Sequence, residues 1–251
     1  MTRRRWIADT WSPSTGHPTH AALTGEQAQH LARVLRAQPG QIFDVVANGF
    51  LHRAEVVGVT DSEVSFMLLE ELESDGALPI HLLLAVFKYD HFEWAVEKAT
   101  ELGVARITPV LARRTEKHLS QAAAKRAERW RRIALEAAKQ SRRTDMPEIA
   151  EPVKLDAALK AETAPLRILL SEVEQSVSLV SALAQFNQNQ ASSNQQLALA
   201  IGPEGGWTSD EMALFTQYQW THVTLGPRIL RAETAAIAAL AICGAQIQQV
   251  S

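Results

Sequence analysis

From residue 80 onward the chain sets short, largely apolar runs between helical patterns, and this alternation constrains its fold more than any other feature. The runs fall at residues 80–86, 104–111, 166–170, 197–201 and 222–225. A strand that needs no polar face is buried on both sides, as in a parallel sheet covered by helices on both faces. An amphipathic helix is expected at 92–102, closed by Gly103, and a long basic helix at 120–140. The larger part of the chain therefore reads as α/β.

The beginning of the chain has a different rhythm. His30, Leu31, Val34 and Leu35 mark one face of a helix over 26–37, stopped by Pro39-Gly40. Two β-rich runs, 42–47 and 50–59, flank Asn48-Gly49, a strong hairpin signal, and a third strand is expected at 63–69. The acidic stretch 70–76 reads as a linker. Residues 1–75 are thus expected to form a small β-rich domain and residues 76–251 a strand–helix domain. The polar stretch 187–196 reads as a surface loop.

Net charge conceals a strong asymmetry. The chain holds 25 Lys+Arg against 28 Asp+Glu, a formal charge of −3. Eleven of those basic residues lie within 113–143, beside only three acidic ones, whereas 54–79 carries seven acids and no base. Such a strip is either a solvated helix face or a phosphate-binding surface. Its richness in arginine, whose planar fork suits bidentate phosphate contacts, points to a nucleic-acid partner. The expected contacts are Arg113, Arg114, Arg142 and Arg143, with Arg3, Arg4, Arg5, Arg33 and Arg36 from the first domain. The single cysteine, Cys243, excludes an internal disulfide framework and a multi-cysteine metal site. The eight histidines show no metal-ligand spacing, so no metal is expected. No apolar stretch follows the basic start, and the run at 235–243 is too short to span a bilayer. A soluble, cytoplasmic protein without a membrane partner is expected.

Two strand-to-helix loops stand apart. The first, Gly202-Pro203-Glu204-Gly205-Gly206-Trp207, follows the run at 197–201 and leads into Thr208-Ser209-Asp210-Glu211, a capping box. The second, Gly226-Pro227-Arg228-Ile229-Leu230-Arg231, leads into a helix rich in small residues and almost without charge, which must be buried. Both lie at carboxyl ends of strands, where open α/β sheets bind ligands. Neither a P-loop nor a G-x-G-x-x-G motif is present, which argues against P-loop NTPase and dinucleotide-fold chemistry.

IGPEGGWTSDE (201–211) and LGPRILRAETAAIAAL (225–240) resemble the paired signatures of the SPOUT-class RNA methyltransferases. More narrowly, the chain is similar to the bacterial 16S rRNA uridine-N3 methyltransferase family, small-subunit methyltransferase E. HLARVLRAQPGQ (30–41), EKATELGVARITPV (97–110) and QSRRTDMPEI (140–149) agree with it. The resemblance implies a parallel-sheet α/β domain with a deep trefoil knot, preceded by a PUA-like β-barrel that helps hold RNA. It implies S-adenosylmethionine as cofactor, 16S rRNA of the small ribosomal subunit as substrate, and a homodimer. The implied cofactor site comprises Leu169, Leu170 and Ser171, then Ile201, Gly202, Pro203, Glu204, Gly205 and Gly206. From the second loop it takes Leu225, Gly226, Ile229, Leu230, Thr234 and Ala235. Arg231 and Glu233 are the catalytic candidates. Arg231 would stabilise negative charge on the uracil oxygens, clamp a phosphate or pair with Glu233. Glu233 would orient Arg231, accept the proton or simply favour the helix dipole. Competing functions are ribose 2′-O or tRNA methylation within the same class, and RNA binding without catalysis.

Overall fold

The computed structural model describes residues 5–13, 17–72, 76–174, 176–189 and 196–248. They fall into two compact units, one built from 1–76 and 138–145, the other from 77–137 and 146–251. The return of 138–145 to the first unit carries no local sequence signal.

The first unit is a six-stranded sheet with one short helix. In chain order it comprises β1 (Arg5–Ile7), β2 (Thr10–Ser12), β3 (His20–Thr24), α1 (Gly25–Gln29), β4 (Ile42–Ala47), β5 (Phe50–Val59) and β6 (Glu63–Glu71). The sheet order is β1-β4-β5-β6-β3-β2, so its two outer strands are consecutive in the chain. Between them Ala8 N–H donates to Val46 and Asp9 N–H to Ala22, carrying the chain from one edge of the sheet to the other. Register shifts in the β5–β6 pairing add bend. The result is a curled half-barrel around Trp6, Leu23, Leu31, Val45, Val56 and Phe66.

The expected hairpin is present, with Asn48 at φ 51° and Gly49 at φ 82°. The expected helix over 26–37 is corrected. It is α-helical only to Gln29 and continues as a π-helical turn, His30–Val34, closed by Arg36 at φ 51° before Pro39 is reached. Strand β6 runs through Glu71, so the acidic stretch begins inside the sheet; residues 73–75 lie outside the described residues.

The second unit alternates strand and helix. It contains β7 (Leu78–Ala85), α2 (Tyr89–Glu101), β8 (Val104–Leu111), α3 (Lys117–Ser141), β9 (Glu148–Ile149), β10 (Val153–Lys154) and α4 (Leu155–Ala161). Then come β11 (Leu166–Leu170), α5 (Leu179–Asn189), β12 (Leu197–Ile201), α6 (Ser209–Gln217), β13 (Thr221–Val223) and α7 (Ala232–Gln248). The strand order is β10-β8-β7-β12-β11-β13, with β9 also on β8, and all pairings are parallel.

The missing polar alternation now has its cause. Ile80, Leu82 and Leu84 of β7 and Leu197, Leu199 and Ile201 of β12 enter one core, with buried residues of α2, α3, α5 and α7. Leu83, Ala198 and Ala200 face the opposite core, under α4 and α6. Both faces are covered, so both must be apolar. Because β12, β11 and β13 are neighbours, the loops leaving their carboxyl ends emerge side by side.

Candidate functional site

Those three loops enclose a cavity of about 770 Å³, within the size range of small-molecule sites. Leu170 and Ser171 line it from the end of β11. The loop after β12 contributes Ile201, Gly202, Pro203, Glu204, Gly205 and Gly206, and the loop after β13 contributes Leu225, Gly226, Ile229 and Leu230. Arg231 and Ala235 complete the expected residues at its wall. Leu169 is instead fully buried in the core under α4 and α6, because neighbouring residues of a strand point to opposite faces. Thr234 is exposed on the first turn of α7, and Glu233 is 3% exposed; neither is among the lining residues.

The glycine loop is held by its own geometry and by its neighbours. Gly206 sits at φ 69°, in the left-handed region, and its N–H closes a turn on the Pro203 carbonyl at 2.8 Å. A Cβ on Gly202 would lie 3.0 Å from Trp207 Nε1, so the indole packs directly over that backbone. Thr208 and Glu211 form the expected capping box. Glu211 does more than the sequence suggested: its Oε1 also accepts the Arg113 N–H at 2.7 Å, tying the loop after β8 to the start of α6. Arg114 donates to the Gly205 carbonyl and lines the cavity. This residue, expected at an RNA surface, therefore clasps the glycine loop.

Two buried polar atoms at the wall, Ser171 Oγ and Trp207 Nε1, have no hydrogen-bond partner among the described residues. A buried polar atom left unpaired is costly, so each is a candidate for a partner that the protein itself does not supply. Trp207 also packs edge-on against Phe215 at 5.0 Å, which makes it a fixed wall. The lining carries both signs: Arg114, Arg228 and Arg231 share it with Glu172, Glu174 and Glu204. The Glu174 carboxylate is itself engaged, accepting the N–H groups of Ser176 and Val177. The acidic loop at 172–174 was absent from the expected site; its place directly after an apolar strand was the available signal.

Arg231 is exposed at the cavity and has no ion-pair partner among the described residues. Glu233 does not pair with it. Its carboxylate accepts from His91 Nδ1 at 2.7 Å, at the start of α2.

The basic strip divides in two. Arg126 and Arg129 converge on Glu93, Arg131 reaches Glu128 and Glu151, and Arg143 is held by Asp145. The Arg129 hydrogen bond, opposed by burial and aided by Arg126, holds the Glu93 carboxyl below the usual carboxylate range. Arg113, Arg132 and Arg142 are exposed, as are Arg33, weakly paired with Asp61 at 3.7 Å, and Arg36. Arg5 donates to the Arg142 carbonyl at 3.0 Å. Arg3 and Arg4 lie outside the described residues. Among the described residues no group of three His, Cys, Asp or Glu could hold a metal ion, and no helix is long and apolar enough to cross a membrane.

Comparison with known proteins gives a consistent result. Residues 74–244 match the RNA methyltransferase domain family and residues 23–66 the RNA methyltransferase PUA domain. The chain is 34% identical to ribosomal RNA small subunit methyltransferase E of Synechocystis over 90% of its length and 73% of that protein. It is 32% identical to the Bacillus subtilis protein of the same name, over 90% of both chains. The crystal structure of the Neisseria gonorrhoeae ribosomal RNA small subunit methyltransferase E, bound to S-adenosyl methionine, superposes with a TM-score of 0.75 at 26% identity. That likeness covers 99% of this chain and 98% of that one.

Proposed function

The chain belongs to the ribosomal RNA small subunit methyltransferase E family, and from that premise we propose that it methylates N3 of a specific uridine in 16S rRNA, using S-adenosylmethionine. The observation that carries this reading is the cavity at the ends of β12, β11 and β13, with its glycine-shaped backbone and two unpartnered buried donors. S-adenosylmethionine bears a carboxylate, an ammonium and a sulfonium, and the mixed-sign lining suits such a ligand. When bound, it supplies an electrophilic methyl group.

Backbone groups of 202–206 and 225–230 would read the adenine edge, with Leu170 and Leu225 as apolar walls. Ser171 Oγ and Trp207 Nε1 would find their missing partners there. Leu169 and Thr234 would support these walls from behind. Arg231, free at the rim, would stabilise charge developing on the uracil oxygens as N3 loses its proton. Glu233 would act on Arg231 through the backbone they share.

The division into an RNA-holding unit over 1–75 and a catalytic unit over 76–251, acting in the cytoplasm, belongs to the same proposal. So does the deep trefoil knot, with the chain after β13 threading back to pack α7 against α2. A homodimer is favoured by α7, which is rich in small apolar residues and leaves Ala241 and Ala245 exposed. Exposed Arg33, Arg36, Arg113 and Arg142 would supply phosphate contacts.

Incubating the protein with labelled S-adenosylmethionine and small subunits lacking the modification tests the reading. Label is expected in 16S rRNA. Label confined to tRNA, or RNA binding without transfer, contradicts it.

A further inference from the structure

Glu233 is buried beside the cavity without lining it, and its partner lies on another helix. His91 occupies the first turn of α2, and its Nδ1 is 2.7 Å from Glu233 Oε1 in the first turn of α7. A carboxylate oxygen accepts, so this bond calls for the ring proton on Nδ1. The other ring nitrogen lies 3.9 Å from Asp90 Oδ2, which itself pairs with Lys88 Nζ at 3.5 Å. With the Glu233 side chain only 4% exposed, loss of His91 would strand a buried carboxylate, so the bond pins the two helix starts together.

That pin acts on the cavity wall. The Arg231 carbonyl accepts the Ala235 N–H at 2.8 Å, making Arg231 the residue on which α7 begins. Arg231, Ala232 and Ala235 all line the cavity, on either side of Glu233. We propose that His91 is a positioning residue: through Glu233 it fixes the first turn of α7 and so aims the Arg231 guanidinium into the site. Its kinetic consequence rests on the methyltransferase reading; its structural consequence does not.

Two readouts test the proposal. Hydrogen exchange needs no substrate. In His91→Leu the amides of 235–237 should exchange roughly tenfold to a hundredfold faster, the range set by losing a charged hydrogen bond. In His91→Gln, whose amide can still donate to Glu233, exchange should stay near that of the parent protein. Unchanged exchange in His91→Leu overturns the proposal. Should that variant not fold, Glu233→Gln, which keeps the shape but weakens the bond, should raise exchange at the same amides, and unchanged exchange there overturns it equally.

In methyl transfer, His91→Leu should lower kcat roughly tenfold to a hundredfold while leaving KM for S-adenosylmethionine within about twofold. His91→Gln should restore most of the rate. Added to Arg231→Ala, His91→Leu should bring little further loss, because one residue acts through the other. Independent, multiplying losses contradict the proposal. If the parent protein transfers no methyl group to small-subunit rRNA, the methyltransferase reading fails, and hydrogen exchange still decides the brace.

Discussion

Gly202 and Gly206 are glycines for different physical reasons, and the difference is measurable. Gly206 needs its backbone conformation, so Gly206→Ala should cost about 1–2 kcal/mol through strain at φ 69°. That appears as a lower Tm with or without cofactor. Gly202 needs its lack of a side chain, because a methyl group there meets the Trp207 indole at 3.0 Å. Gly202→Ala should displace Trp207 and weaken S-adenosylmethionine binding at least tenfold, with a Tm change smaller than that of Gly206→Ala. Calorimetric titration and thermal melts of both variants separate the effects; equal behaviour would contradict the distinction. Glycine clustering was legible in the sequence, but which glycine serves conformation and which serves contact was not. Arg114 shows the same limit: its charge suggested RNA, and only the fold brings its side chain to the Gly205 carbonyl.

At the scale of elements, α4 is tethered by a half-buried polar chain. Glu162, just past its end, accepts from His81 Nδ1 at 2.5 Å, and His81 Nε2 lies 2.8 Å from Thr108 Oγ1. Burial alone would raise the Glu162 carboxyl. The His81 hydrogen bond and the Ala164 and Thr163 N–H groups outweigh it, so the folded protein holds Glu162 below the usual glutamate value. A carboxyl depressed in the folded state stabilises the fold above its unfolded pKa, and that stabilisation is lost as pH falls through the folded one. Urea unfolding from neutral pH into the acid range should therefore show a steeper loss of stability in the parent protein than in Glu162→Gln. Parallel curves would contradict the tether. The capping box of α6 was legible because Thr208 and Glu211 stand at the required spacing, whereas the bond from Arg113 N–H to Glu211 joins residues far apart in sequence. Strands β7, β8, β11 and β12 were legible because burial on both faces leaves a largely apolar run, unbroken in β12 and interrupted by His81, Arg106, Thr108 and Arg167 in the others. Strands β1 to β3, of three to five residues, are too short to show a period, and the π-helical turn keeps a helical pattern while changing its hydrogen bonds.

At the scale of the molecule, β12 pairs with β7 on one side and β11 on the other, although residues 86–196 separate β7 from β12 in the chain. No local pattern encodes that order, so the meeting of three loops at one cavity was expected only through resemblance. The same holds for assembly. If a second copy covers α7, Ala241→Arg should convert the dimer to a monomer in light scattering, because an exposed charge replaces a small apolar contact. A variant that keeps the mass of the unmodified protein would place any interface elsewhere. The measurement that bears most directly on function is nucleoside analysis of 16S rRNA after methyl transfer to small subunits lacking the modification. Label recovered as N3-methyluridine is the predicted result. Label on a ribose 2′-oxygen, or none from a protein that still binds S-adenosylmethionine, would contradict it.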